Sequence, residues 1–303
     1  MYRQAYVKMR NINERMNKQN RVYSASRGWP RRCLIGRKGT GRPRQNFAGS
    51  DRKCWDSECP ERMVSYVVAD SGAITAINTS TQVQNIPVRL RYQTLEIGRF
   101  DIHLCTLRDK QQFADLDGEA EAVGISSATW SMFGVLWDSS VTLANFMLDF
   151  DTEGKRVLEI GCGIGLTSLL LNKREMDITA TDHHPEAQQM LQRNTELNGD
   201  PDIPFFRTGW ADGEEGLGVF DLIVGSDILY DREHLELLAG FIDLHIREAG
   251  AVVIVDPNRG ECARFSREMA DLGFSLEQKS WDNTSGLGGG NEGRILQYTR
   301  KTR

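Results

Sequence analysis

VLEIGCGIGLTSLLL, residues 157–171, decides the fold. VLEI reads as a buried strand, and the leucine-rich run after Gly165 reads as a helix. Between them stand Gly161, Gly163 and Gly165, alternating with small or apolar residues. Glycine lets a chain turn tightly and lets a ligand approach the backbone with no side chain between. In an open α/β sheet such a loop lies at the carboxyl edge of the strand, where ligands bind. A turn that merely needs glycine accounts poorly for three of them after an acid. A dinucleotide site would want its third glycine at position 166, which is Leu166. Glu159, two residues before the first glycine, would repel a pyrophosphate and suit a cationic ligand.

The same grammar continues downstream. DITATD (177–182) is a strand and PEAQQMLQRNTELNG (185–199) a helix, with Pro in its first turn and Gly at its end. IPFFRTG (203–209) and VFDLIVGSD (219–227) are strands. DREHLELLAGFIDLHIRE (231–248) is a helix with Leu235, Leu238, Ile242 and Ile246 on one face. AVVIVDP (251–257), the helix GECARFSREMADLG (260–273), FSLEQKSW (274–281) and RILQYTRK (294–301) complete the series. Nearly continuous apolar strands between amphipathic helices predict an α/β domain, a parallel sheet covered on both faces. GLGGGNEG (286–293) joins two strands and has no helix N-terminus to offer a phosphate, so it reads as a hairpin loop. Upstream, VRLRYQTLEI (88–97), the turn GRF and DIHLCTL (101–107) predict a hairpin. An acidic stretch (109–124) follows. Then Val141, Leu143, Ala144, Met147 and Leu148 recur at helical spacing.

The charge is unevenly placed. Residues 1–62 carry 16 Lys and Arg against 5 Asp and Glu, and the remainder 21 against 37. This predicts a basic, disordered tail at 1–62, strands and a helix packing on the core at 63–150, and a ligand-binding domain at 151–303. The tail could be a nucleic-acid arm or an Arg-rich transit peptide. Its basic residues lack interleaved aromatics, which favours a solvated tail, or upstream sequence before a start at Met63, and argues against nucleic acid as a partner. The chain has no membrane-length apolar run and no signal-like start. Six scattered cysteines, with Cys54 and Cys59 as the sole close pair, give no metal spacing and fit a reducing, cytoplasmic setting. The acidic remainder would favour a basic protein segment as partner.

Several residues at predicted strand ends could carry chemistry. Asp182 ends the second strand and could accept both hydroxyls of a ribose, or cap the helix that follows. Trp210 could lie against a base, with Asp212 accepting from its exocyclic amine; a core tryptophan beside a solvated acid is the plain alternative. Asp227 and Tyr230, in GSDILYD (225–231), stand at the mouth of the fourth strand. Asp227 could cap the next helix, but Asp231 can do that. His183 and His184 read as loop residues, and Cys162 as a small buried residue. For Asp256 and Arg259, contact with substrate and a turn fixed by Pro257 remain open.

Glu159 to Gly165 resembles the first motif of the class I S-adenosylmethionine-dependent methyltransferases. GVLWDSS (134–140), LEIGCGIG (158–165), ATDHHP (180–185), TGWAD (208–212) and SDILY (226–230) together resemble the seven-strand group that includes the protein-lysine methyltransferases and predicted nicotinamide methyltransferase-like bacterial proteins. That group is marked by D-x-x-Y after the fourth strand, here Asp227 and Tyr230. The resemblance covers about residues 86–300. It implies a Rossmann-like, mostly parallel sheet in the order 3-2-1-4-5-7-6 with the seventh strand antiparallel, carrying an N-terminal hairpin and helix. It implies S-adenosylmethionine as cofactor and transfer to nitrogen. The cofactor set would be Trp137 at the methionine part, Glu159, the three glycines, Asp182, Trp210, Asp212 and Ser226. Asp227 and Tyr230 would serve the acceptor. The family has Trp-Pro where this chain has Trp137-Asp138. No [DN]-P-P-[FYW] motif occurs, which argues against base and glutamine methylation, and no Pro-Cys pair, which argues against cytosine C5 methylation. A protein lysine is the expected acceptor. A small-molecule amine, or a scaffold that binds cofactor without turnover, are the alternatives.

Overall fold

The computed structural model describes residues 66–68, 74–76, 88–212, 216–282 and 292–300. The expectations for residues 1–62, for Met63 and for most of the loop 286–293 lie outside them. A short antiparallel pair, β1 (Tyr66–Val68) with β2 (Ile74–Ala76), forms a unit by itself that the sequence pattern did not announce.

The main body is a seven-stranded sheet. Its strands are β5 (Arg156–Ile160), β6 (Asp177–Asp182), β7 (Phe205–Arg207), β8 (Phe220–Ser226), β9 (Ile246–Asp256), β10 (Phe274–Asp282) and β11 (Glu292–Arg300). Their order is β10-β11-β9-β8-β5-β6-β7. β11 runs antiparallel to both its neighbours, and the other pairs are parallel. Numbered from β5, this is the order 3-2-1-4-5-7-6. Glu292 and Gly293, placed in a loop by the sequence reading, belong to β11.

Alternate residues of each central strand feed two separate cores. Val157, Leu222, Val224, Val253 and Val255 face one side, with α2 (Asp138–Leu148), α3 (Leu166–Lys173) and α4 (Ala187–Asn198). Leu158, Ile160, Ile223, Val252 and Ile254 face the other, with α5 (Leu235–His245) and α6 (Cys262–Asp271). Burying side chains of this size stabilises by about 1.5–3 kcal/mol each, which is why both faces read as apolar. The short helix α1 (Glu119–Ala122) and a 3-10 turn at Trp130–Gly134 fall in stretches that the periodicity left unassigned.

One helix ends earlier than its apolar stripe suggested. Ile246 sits at helical spacing after Ile242, yet α5 stops at His245 and β9 starts at once. Ile246 pairs with Phe220 at the foot of β8, beside an irregularity in the register, and the His245 ring holds the Gly218 carbonyl at 2.8 Å. Sheet pairing therefore draws this residue out of the helix, and an apolar residue satisfies either pattern.

The hairpin β3 (Leu90–Ile97) and β4 (Phe100–Leu107) docks through two asparagines of α4. Asn194 is fully buried. Its oxygen accepts from the Cys105 amide at 2.6 Å and its nitrogen donates to the Ile164 carbonyl at 2.9 Å. One turn on, Asn198 accepts from the His103 amide at 3.0 Å and donates to the His103 carbonyl at 2.8 Å. The outer edge of β4 is thus paired by side chains. Asn194→Ala would orphan a buried donor and a buried acceptor, each costing about 1–3 kcal/mol. Urea unfolding should show a loss on the order of 2–4 kcal/mol, larger than for half-buried Asn198→Ala; the reverse ranking would contradict this docking.

Candidate active site

The ends of β5, β6, β8 and β9 converge on one edge of the sheet. Order along the sheet reverses between β5 and β8, so the crevice opens there. The loop after β5 is built for close approach. Gly163 has φ 55° and a Cβ would meet the Phe133 carbonyl oxygen at 2.8 Å, a backbone contact that cannot give way. Gly161 has φ 61°, and a Cβ there would lie 2.8 Å from Ile228 Cγ2 and 3.8 Å from the Trp210 ring. The loop therefore touches the 3-10 turn, the end of β8 and Trp210 at once.

Two carboxylates hold this loop from inside. Glu159 is buried on β5 and accepts from the Ser168 amide at 2.8 Å and from the Ser168 hydroxyl. Its carboxylate thus lies at the N-terminal turn of α3. Burial pushes its pKa up to about 7, against the hydrogen bonds from Ser168. Asp182 accepts from the Gly163 amide and from the His184 amide, each at 2.8 Å. Burial raises its pKa as well. Asp182 therefore ties the glycine loop to its own turn and does not cap α4, whose N-cap is Glu186.

Across the crevice, Trp210 packs edge-on against Phe241, with centroids 5.5 Å apart. Asp212 accepts from the Gly209 amide at 2.7 Å, and His183 Nδ1 lies 3.0 Å from where a Gly209 Cβ would be. Trp137 is half-buried at the N-cap of α2 and donates its indole N–H to the Met132 carbonyl at 3.1 Å. Ser226 is half-buried at the last position of β8, opposite Val255.

Asp227 turns the chain at that point. Its φ of 55° is left-handed, a conformation Asp tolerates better than most residues. Its amide donates to the Val255 carbonyl at 2.9 Å. Its carboxylate meets Arg259 in a bidentate pair, one oxygen on Nε and the other on Nη2 at 2.7 Å. So Asp227 does not cap α5; Asp231 accepts from the Glu233 amide at 2.9 Å in the turn before it. Tyr230 is 62% exposed, which excludes a core role. Partial burial of its hydroxyl and the carboxylates of Asp182, Asp231 and Asp227 raise its pKa.

Arg259 is held in turn. Asp256, fully buried at the end of β9, accepts from the Arg259 amide at 3.1 Å and from the Cys262 thiol at 3.0 Å through the same oxygen. The sequence left Arg259 open between substrate contact and a turn. Its partner is 32 positions away, and no local signal announces the pair. Ser168, nine residues after Glu159, was also missed, because strand, loop and helix must fold back to bring it there. The Phe133–His184 wall was missed too. His184 lies in the loop after β6 as expected, but buried, with its ring stacked 3.9 Å from that of Phe133.

The fit to a cofactor follows from these bonds. A pyrophosphate needs free amides at the loop and helix N-terminus. Here the Gly163 amide belongs to Asp182 and the Ser168 amide to Glu159, both carboxylates. Two carboxylates thus stand where a phosphate would draw on amides, an arrangement suited to a ligand bearing a sulfonium, an ammonium and a ribose. Fold and site define a class I S-adenosylmethionine-dependent methyltransferase, with S-adenosylmethionine as its cofactor. Within that class, residues 124–268 match the family model described as lysine methyltransferase.

Similar proteins carry related names. Protein N-lysine methyltransferase METTL21A of Danio rerio is 29% identical over 170 residues, 52% of this chain and 77% of that protein. EEF1A lysine methyltransferase 3 of Mus musculus is 28% identical, over 47% of this chain and 64% of its own length. Electron transfer flavoprotein beta subunit lysine methyltransferase of Xenopus laevis is 30% identical, over 51% and 65%. The chain thus spans just under two thirds of the latter two.

His184 gives this region a pH signature. Burial pushes its pKa down to about 4, whereas an unfolded histidine titrates near 6.5. Between those values the unfolded chain binds the proton and the folded one does not. Stability is therefore full above about pH 6.5 and is lost as pH falls towards 4. Relative to His184→Gln, the wild type should lose on the order of 2 kcal/mol between pH 7 and pH 5 in urea unfolding. Parallel losses in both proteins would show that His184 is not the group responsible.

Proposed function

We propose that this protein transfers a methyl group from S-adenosylmethionine to a protein side-chain nitrogen, a lysine amine. The observation that carries this reading is the pair at the mouth of β8: Asp227, with its carboxylate fixed at the strand end, and the exposed ring of Tyr230 three residues on. The names of the relatives support the same acceptor. Residues 88–300 would form the working unit, and the buried free thiols of Cys105, Cys162 and Cys262 suit a reducing compartment such as the cytoplasm. Among the described residues no helix is long and apolar enough to cross a membrane.

The chain's own residues have limited work. Glu159 would face the ammonium of the cofactor, Asp182 the ribose hydroxyls, Trp210 and Asp212 the adenine, and Trp137 and Ser226 the methionine side. When bound, S-adenosylmethionine supplies a methyl whose bond to sulfur breaks as the new bond to nitrogen forms, the old bonding pair returning to sulfur. The lysine must arrive neutral, which costs about 4 kcal/mol at pH 7.4 from a free pKa near 10.4. Asp227 accepts a hydrogen bond from the neutral amine and fixes the direction of its lone pair; Tyr230 walls the channel that admits the side chain. Alignment of this kind supplies most of the rate.

Tritiated methyl from the cofactor should appear in acid-precipitable lysate protein and, after hydrolysis, in methyl-lysine. Label confined to small molecules would reject the protein acceptor. Asp227→Asn should lower transfer about a hundredfold; full transfer by a variant that still binds cofactor would remove Asp227 from the chemistry.

Glu159 predicts a pH dependence of binding. With a pKa of about 7 it must lose its proton to meet a cation, so affinity rises with pH. Calorimetric titration should give S-adenosylmethionine binding about tenfold tighter at pH 8 than at pH 6, flattened in Glu159→Gln. An equal slope in both would assign the proton elsewhere.

A further inference from the structure

We propose that Arg259 is a positioning residue that cancels the charge of Asp227, so that the carboxylate directs the acceptor nitrogen without holding it as an ammonium; this rests on the acceptor site assigned above. A bare carboxylate beside an amine favours its protonated form. That is the wrong form, since an ammonium has no lone pair to receive a methyl. A carboxylate in a bidentate pair keeps lone pairs for one more hydrogen bond, while its net charge is offset by the guanidinium.

The surroundings make the cancellation necessary. Tyr230 sits among the carboxylates of Asp182 at the end of β6 and Asp227 and Asp231 after β8. Asp256 at the end of β9 adds a fourth carboxylate nearby, and Arg294 of β11 stands opposite it in the backbone register. The guanidinium on Asp227 is that of Arg259.

Arg259 is also built into its place. Its amide is anchored on buried Asp256, and it stands between two residues with left-handed backbone, Asn258 (φ 62°) and Gly260 (φ 97°). Asp227 is anchored to the same strand through the Val255 carbonyl. The two charges are therefore set against each other by the backbones of adjacent strand ends.

The test needs no acceptor. It compares two cofactor analogues by calorimetric titration of the full chain. S-adenosylhomocysteine is neutral at sulfur, and sinefungin carries a primary ammonium where the methyl would be. In Arg259→Gln the ratio of affinities should move about tenfold towards the ammonium analogue. In Arg259→Lys, which keeps the charge, it should stay within about twofold. Asp227→Asn leaves the guanidinium unopposed, and its ratio should move the opposite way by a similar factor. Binding of S-adenosylhomocysteine reports that each variant is folded, and if Arg259→Gln fails that control, Asp227→Asn decides the matter alone. A ratio unmoved in the folded variants overturns the proposal. Methyl transfer to protein enters none of these titrations. Absence of label on protein would therefore reject the lysine reading and leave the ratio standing, whereas an unmoved ratio would reject the charge pairing and leave the lysine reading intact.

Discussion

Two carboxylates, buried Glu159 and half-buried Asp182, hold the loop between β5 and α3, and the candidate site depends on that constraint. Glu159 takes the Ser168 amide and Asp182 takes the Gly163 amide. Each occupies a donor that the nucleotide-binding version of this fold leaves for phosphate. The exchange has a physical cost, because both groups are desolvated and their pKa values rise. Charge-assisted bonds to backbone amides offset part of it. The result is a crevice in which glycine backbone and two carboxylates lie together, an arrangement better suited to a cationic ligand than to a phosphate.

The acceptor side is organised by the same device in mirror form. On the side where the cofactor is proposed to bind, the carboxylates of Glu159 and Asp182 meet neutral backbone donors. On the acceptor side, the Asp227 carboxylate meets a guanidinium. The two sides lie a few residues apart along the strand ends, yet the chemistry asks opposite things of them. One must attract positive charge. The other, in the proposed reading, would receive an amine that has already lost it. The bidentate pair of Asp227 and Arg259 is fixed by Asp256 and by the Val255 carbonyl, and under the proposal it would keep the two requirements separate.

Much of the frame was legible in the sequence. Strands buried on both faces produce runs such as VLEI and VVIVD, and their alternation with amphipathic helices admits few arrangements. Asp182, Trp210, Asp227 and Tyr230 could be placed at strand ends for the same reason. Legibility failed where one residue satisfies two patterns, as Ile246 does, or where structure owes nothing to periodicity, as in the 3-10 turn at Trp130–Gly134. The aromatic wall of Phe133 and His184 belongs to the second kind. A histidine in a polar stretch gives no sign that a ring from 51 positions earlier will stack on it.

Local periodicity and the residue types at strand ends were enough to give the class of fold and the edge of the sheet at which a site was expected, because both follow from short stretches of chain. Tertiary structure alone decided which charge meets which. Ser168 on Glu159, Asn194 on the hairpin edge and Arg259 on Asp227 join elements distant in the chain. Such pairs depend on the angle and register at which packed elements meet, and no spacing along one segment encodes that.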